Sequence, residues 1–265
     1  MLYGAMNFPV NPVLEELEVI AGLGFDFMEL SMDPPRAHYA QIRQLKTELL
    51  ETLKRRQMQL VCHMPTFVSL ADLTQSIRRA SLNEVLDSLE AAAELKPLKV
   101  VVHPAYINGL GTFVVDLTRR YAMESLAAVA QKAWALGLTL CLENMFPHIG
   151  LGVEPDDFKK IFSDYQGLKM TLDIGHGNIG SPRGKRVIEL IEAFPDRIAH
   201  LHISDNFGKR DDHLPIGSGS VRFPKILRAL KKTGYDGTVT FEVFTADKEY
   251  LKLSREKFKN MWASF

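Results

Sequence analysis

Nine side chains able to bind a metal ion or move a proton fall at, or just after, points where an apolar run gives way to a turn. They are His63, His103, Glu143, Asp173, His176, His202, Asp211, His213 and Glu242. The segment Thr171-Leu-Asp-Ile-Gly-His-Gly-Asn-Ile-Gly180 is the clearest case, delivering Asp173 and then His176 as the run breaks into glycines. A strand sends alternate side chains to opposite faces, so a carboxylate on the last strand residue and an imidazole three positions on leave the strand end together. Such a pair suits a cation, although an Asp at a strand end also caps whatever follows. Carboxylates and imidazoles without a thiolate suit Zn, Mn, Co or Fe and do not choose among them. Gathered at one place without cations, so many acidic groups would carry uncompensated charge at a cost of several kcal/mol, which favours metal binding over bare substrate contacts.

Other residues attach to this set. His200 and His202 share one strand face, and His202 lies nearer the strand end, leaving His200 a deeper supporting or core position. Glu29 is a strand-end carboxylate and a candidate for the substrate pocket. Lys209 and Arg210, beside Asp211-Asp-His213, are candidates to meet a substrate phosphate, with solvated loop charges as the plainer reading. They belong to a long polar segment, Ser204–Phe223, of the sort that is commonly functional or mobile.

The elements that must position these groups alternate eight times. Strand patterns over Leu2–Asn7, Phe25–Leu30, 59–63, 98–103, 138–144, 169–173, 198–203 and 237–243 are followed by helical patterns. The helices span Pro12 to Leu23, 38–56, 74–95, 114–136, 155–165, 183–194, 224–233 and 247–263, with apolar residues at helical spacing. Eight strand-helix units without a long antiparallel stretch predict an α/β fold, a closed (β/α)8 TIM barrel forming a single domain over residues 1–265. An open doubly wound sheet would offer a glycine-rich loop after its first strand, and Asn7-Phe-Pro-Val-Asn-Pro is nothing of the kind. No P-loop, Gly-x-Ser-x-Gly elbow or Cys-x-x-Cys pair occurs. In a barrel all these strand ends open on one face.

With 265 residues, 46% of them apolar, the chain can bury one large core. Thirty-two basic and thirty-two acidic residues cancel, so no global field draws it to nucleic acid or an anionic membrane, while a local patch is not excluded. Cys62 and Cys141 lie within apolar runs and read as reduced, buried thiols. The N-terminal residues lack an export pattern and no run reaches membrane-spanning length, so the expectation is a cytoplasmic protein without a membrane partner.

On the motifs His63-Met-Pro, His103-Pro, Leu142-Glu-Asn144, Leu172-Asp-x-x-His176, Leu201-His-x-x-Asp205, Asp211-x-His213 and Phe241-Glu242, the chain resembles the xylose isomerase-like TIM-barrel superfamily. That superfamily joins sugar (phosphate) isomerases and epimerases to the endonuclease IV family. The resemblance covers nearly the whole chain and implies a central divalent ion, Zn or Mn, held by Glu143, Asp173, His202 and Glu242. In the endonuclease branch further ions, up to three in all, sit on His63 and His103 sharing Glu143, and on His176, Asp211 and His213. In the isomerase branch Glu143 and Glu242 are the catalytic pair moving a proton through an enediolate, and His176 orients a substrate hydroxyl. The run after His202, Ile203-Ser-Asp-Asn-Phe-Gly208, departs from the Gly-Glu-x-Asn-Arg of ketose 3-epimerases, pointing to a broader sugar or sugar-phosphate isomerase. The ligand count favours the alternative, a multinuclear phosphodiesterase of endonuclease IV type acting on nucleic acid. Neutrality, and loops offering only Tyr106 and Arg36 as a wedge for a duplex, favour the isomerase or epimerase with a small sugar or sugar phosphate as partner. The oligomeric state is left open.

Overall fold

Runs of Val, Leu, Cys and Met bounded by Gly, Pro and Asp form strands, and the longer segments between them, with one apolar stripe each, form the helices that cover those strands. The computed structural model describes residues 1–265 apart from the side chain of Pro182. The strands are β1 Leu2–Met6, β2 Phe27–Ser31, β3 Gln59–His63, β4 Val100–Val102, β5 Leu140–Glu143, β6 Lys169–Asp173, β7 Ile198–Ile203 and β8 Thr238–Phe241. All neighbours pair in parallel and β8 closes on β1, giving an eight-stranded barrel. Helices α1 Val13–Gly22, α2 Tyr39–Arg56, α3 Gln75–Leu95, α4 Val115–Ala135, α5 Pro155–Asp164, α6 Ile174–Asn178, α7 Lys185–Ala193, α8 Phe223–Lys232 and α9 Glu249–Ala263 follow the strands. The expected (β/α)8 class is thus observed.

Several element ends differ from the sequence expectation, β2 running on to Ser31 among them. Strand β4 is three residues long, so His103 stands just past its end. The glycine-rich break after β6 is a short helix, α6, inside which a Cβ on Gly175 would collide with the Oγ of Ser204, the residue after β7.

Two cores are separated by the barrel wall. The larger fills the space between strands and helices, with Leu30, Cys62, Val100, Leu142, Leu172, Leu201 and Phe241 facing outward onto Leu17, Val85, Val129 and Leu227. The smaller, Phe27, Val61 and Val101, plugs the interior near the N-terminal strand ends. Gly4 leaves the room that the Phe27 ring occupies. Strand period then dictates what stands above the plug. If Phe27, Val61 and Val101 face inward, so do Glu29, His63 and His103, and the interior becomes polar toward the C-terminal face. Burial near that face with so many polar groups is tolerable only if they satisfy one another or a ligand.

Candidate metal centre and active site

The polar interior has two levels. At the lower one Glu29 on β2 is wholly buried, and its carboxylate accepts from His200 Nε2 at 2.9 Å, from His202 Nε2 at 3.1 Å and from the Thr240 hydroxyl. Register explains the depth: Glu29 is level with Val61, whereas Ser31 is level with His63. The pocket role expected of Glu29 is therefore corrected, because its carboxylate lies beneath the cavity floor and does not line the cavity. His200 takes the deeper position expected of it, with Nδ1 2.6 Å from Thr238 Oγ1. Burial pushes the His200 imidazole down to about 4, despite Glu29 beside it.

At the upper level Glu143, Asp173 and His202 of the predicted central site lie close to one another, and Glu242 reaches His202. His202 Nδ1 lies 3.0 Å from Glu242 Oε1, 3.3 Å from Glu143 Oε1 and 3.8 Å from Asp173 Oδ2. Ligand atoms bonded to one ion at about 2.1 Å stand roughly 3–3.5 Å apart, so these separations suit a shared cation. Two of these atoms, Asp173 Oδ2 and His202 Nδ1, are buried without any hydrogen-bond partner. Buried polar atoms without partners are uncommon, and a ligand that engages both accounts for them. The donor set of three carboxylates and an imidazole fits Mn, Zn, Co or Fe.

Asp173 fills two roles at once. Its Oδ1 accepts the backbone N–H of His176 and caps α6, while Oδ2 remains free to face the centre. Asn144, which sequence reasoning quoted within a motif and gave no task, clamps this region. It exchanges hydrogen bonds with the Asp173 backbone at 2.8 and 2.9 Å, and its carbonyl accepts from His176 Nδ1 at 3.0 Å.

The remaining candidates flank the centre on two sides. Glu143 Oε2, the oxygen turned away from His202, sits 3.3 Å from His63 Nε2 and 3.1 Å from His103 Nε2. Tyr106 supports His103 through a 3.2 Å contact to Nδ1. On the other side Asp211 Oδ2 lies 3.1 Å from His176 Nε2 and 2.9 Å from His213 Nε2. All nine predicted ligands are therefore brought to one end of the barrel.

The electrostatics follow from burial opposed by proximity. Burial alone would protonate Glu143, but His202 and His103 hold it well below the usual carboxylate range. For Asp173 burial wins and pushes the carboxyl up to about 7, and burial likewise raises Glu242. Burial disfavours the imidazolium of His202, yet Glu242, Glu29 and Glu143 outweigh it and raise that group well above its ordinary value. His176 is raised in the same way against its burial, chiefly by Asp173 and Asp211. Protons on imidazoles thus compensate the acidic cluster where a cation would otherwise do so.

Above these groups opens a cavity of about 290 Å³. Its walls are Phe8, Phe67, Phe146 and Phe244, and its polar lining includes Asp33, His63, His103, Glu143, His176 and Glu242. Asp33 was missed by the sequence reading. It is buried in the wall, where it accepts from the Ser31 hydroxyl at 2.8 Å and the Thr66 N–H at 2.9 Å, and the turn-like Asp33-Pro-Pro run it opens concealed it. No Lys or Arg lines the cavity among the described residues. Lys209 and Arg210 are exposed, and Arg210 points to Asp212 at 3.6 Å with its side chain 86% accessible. The chain turns at Gly208 with positive φ, and both cations stand outside the lining, next to Asp211, which belongs to it.

The Ser204–Phe223 segment is ordered by one buried carboxylate. Asp205 accepts from the backbone N–H groups of Asn206, Gly217, Gly219 and Val221 at 2.9–3.1 Å. A Cβ on Gly219 would collide with the Asn206 carbonyl, so the approach requires glycine.

Comparison with known proteins agrees with the barrel fold. The family described as xylose isomerase-like TIM barrel matches residues 17–261. The chain belongs to that family. An uncharacterized protein of Methanocaldococcus jannaschii is 32% identical over 273 residues, covering 97% of this chain and 92% of its own length. A crystal structure described as a D-tagatose 3-epimerase-like protein superposes with a TM-score of 0.86 at 29% identity, covering 100% of this chain and 98% of that one. The fructoselysine 3-epimerase of Escherichia coli O157:H7 is 22% identical over 262 residues, covering 94% of this chain and 93% of its own length. No helix among the described residues is long and apolar enough to cross a membrane.

Proposed function

We propose that this family member is a divalent-metal-dependent sugar isomerase or epimerase that moves a proton at a carbon next to a carbonyl. The observation that supports the proposal is the mutual closeness of Glu143, Asp173 and His202, with Glu242 3.0 Å from His202 Nδ1 and two unpartnered buried ligand atoms among them. Asp173 and His202 would hold the ion from below, and Glu143 and Glu242 would hold it from the cavity side. When bound, the ion polarises the substrate's carbonyl and hydroxyl oxygens and lowers the cost of an enediolate.

Glu143 and Glu242 both border the cavity and are shifted in opposite directions, Glu143 held low by His202 and His103 against its burial and Glu242 raised by burial. A pair of carboxylates pushed apart in this way divides into base and acid. Glu143 takes the proton from the substrate carbon, and Glu242 returns one. His176 borders the cavity beside them, its Nδ1 held by the Asn144 carbonyl and its Nε2 by Asp211. The aromatic walls pack against sugar C–H faces, and the lack of lining Lys or Arg favours an uncharged sugar over a phosphorylated one. The name of the tagatose epimerase-like structure points the same way.

One observation supports a second reading. The two oxygens of Glu143 face different groups, His202 on one side and His63 with His103 on the other, as a bridging ligand of a multinuclear phosphodiesterase would. The two readings separate in one experiment. Mn2+-loaded protein is incubated in deuterated water with a panel of ketopentoses and ketohexoses, and in parallel with abasic-site DNA. The isomerase reading expects solvent deuterium at the carbon next to the carbonyl, abolished in Glu143→Gln, and no nicking. Nicking that needs Glu143, with two or three ions per chain and no exchange in any ketose, would replace it with the second.

A further inference from the structure

The layer beneath the metal centre contains a group that the proposed reaction does not use. Glu29 is fully buried, lies outside the cavity lining, and yet touches the one imidazole at the centre of the site. We infer that Glu29 is the positioning residue for His202, fixing the imidazole with Nε2–H donated downward so that Nδ1 is the atom presented to the ion. The inference rests on the metal-site reading above.

Each contact around Glu29 restricts the carboxylate. Oε1 accepts from His202 Nε2 at 3.1 Å, and Oε2 accepts from His200 Nε2 at 2.9 Å and from the Thr240 hydroxyl. His200 is itself oriented by Thr238, 2.6 Å from its Nδ1. Three strands therefore fix one carboxylate: β2 carries it, β7 supplies both imidazoles, and β8 supplies both hydroxyls, with His200 paired to Thr238 and His202 to Thr240 in register. Glu29, His200 and His202 are themselves close enough to hold a cation. Their donors and acceptors are already matched to one another, however, whereas the orphaned atoms, His202 Nδ1 and Asp173 Oδ2, lie on the opposite side of the His202 ring. The lower cluster is thus a brace, and the upper one is the site. A histidine ligand whose second nitrogen donates to a carboxylate has its ring orientation fixed and its basicity raised, and loss of such a partner typically weakens metal binding 10–100-fold.

Glu29→Gln tests this, because it keeps the shape but leaves one oxygen to accept from two imidazole N–H groups. The expected result is a folded protein, by circular dichroism and gel filtration, whose Mn2+ affinity by calorimetry is about 10–100-fold weaker than that of the unmodified chain. A folded Glu29→Gln protein binding Mn2+ with undiminished affinity overturns the inference. A second measurement needs no variant: in Zn2+-loaded protein labelled with 15N-histidine, His202 should show a proton on Nε2 and the ion on Nδ1. Coordination through Nε2 overturns the inference even if Glu29→Gln fails to fold. An unmodified chain that binds no divalent ion defeats the metal-site reading itself, an outcome distinct from a defect confined to the variant.

Discussion

Asp173 shows how one residue can satisfy a plain structural requirement and a chemical one together. Its Oδ1 caps α6, the ordinary task of an aspartate at such a junction, and its Oδ2 is left buried and unpartnered beside His202. Asp173→Asn keeps a cap acceptor and removes an anionic ligand. The expected outcome is lower metal occupancy after dialysis against limiting Mn2+, measured by elemental analysis, with little change in helical content. Unchanged occupancy would take Asp173 off the ligand set. Glu143 and Glu242 differ for an equally local reason. Glu143 has His202 and His103 to hold its charge, whereas burial dominates at Glu242 despite His202 and His213.

At the scale of elements, what was legible in the sequence follows from the two-residue period of strands. The apolar runs gave strand ends within a residue or two, and the period put His63, Glu143, Asp173 and His202 on one side. Depth was harder to read. The Phe25–Leu30 pattern makes Glu29 look like a rim residue, but β2 continues to Ser31 and its register with β3 sets Glu29 level with Val61, one layer below His63. Register depends on barrel closure, which no local window contains. The Ser204–Phe223 segment was ambiguous for a similar reason, since its order comes from contacts across more than ten residues. Asp205 satisfies four backbone donors there. Asp205→Ala should therefore cost stability, roughly 1.5–3 kcal/mol for the loss of charge-assisted hydrogen bonds. Amide exchange at Gly217, Gly219 and Val221 should accelerate most. Protection unchanged at those amides would show that the segment is held by something else.

For the whole molecule, formal neutrality conceals an acidic interior end whose charge is balanced locally. In the metal-free protein that balance depends on protons, and its dependence on pH has a definite sign. His213 is buried but is raised to about 9, mainly by Asp211, from an ordinary 6.5. His176 and His202 are raised as well. A group that binds its proton more tightly when folded contributes stability fully below its unfolded value, and loses it as pH rises through its folded value. The chelated protein should therefore show a falling Tm between about pH 6.5 and 9. His200, pushed down to about 4, opposes this trend only below its ordinary 6.5. Saturating Mn2+ should remove the decline, because the ion takes over the compensation. A flat or rising Tm in the chelated protein would contradict this picture of the charge balance. The central claim is spatial, and crystals soaked in Mn2+ and measured at the manganese absorption edge test it most directly. The predicted result is an anomalous peak bonded to Glu143, Asp173, His202 and Glu242; a Mn2+-saturated crystal with no peak between those four residues would contradict it.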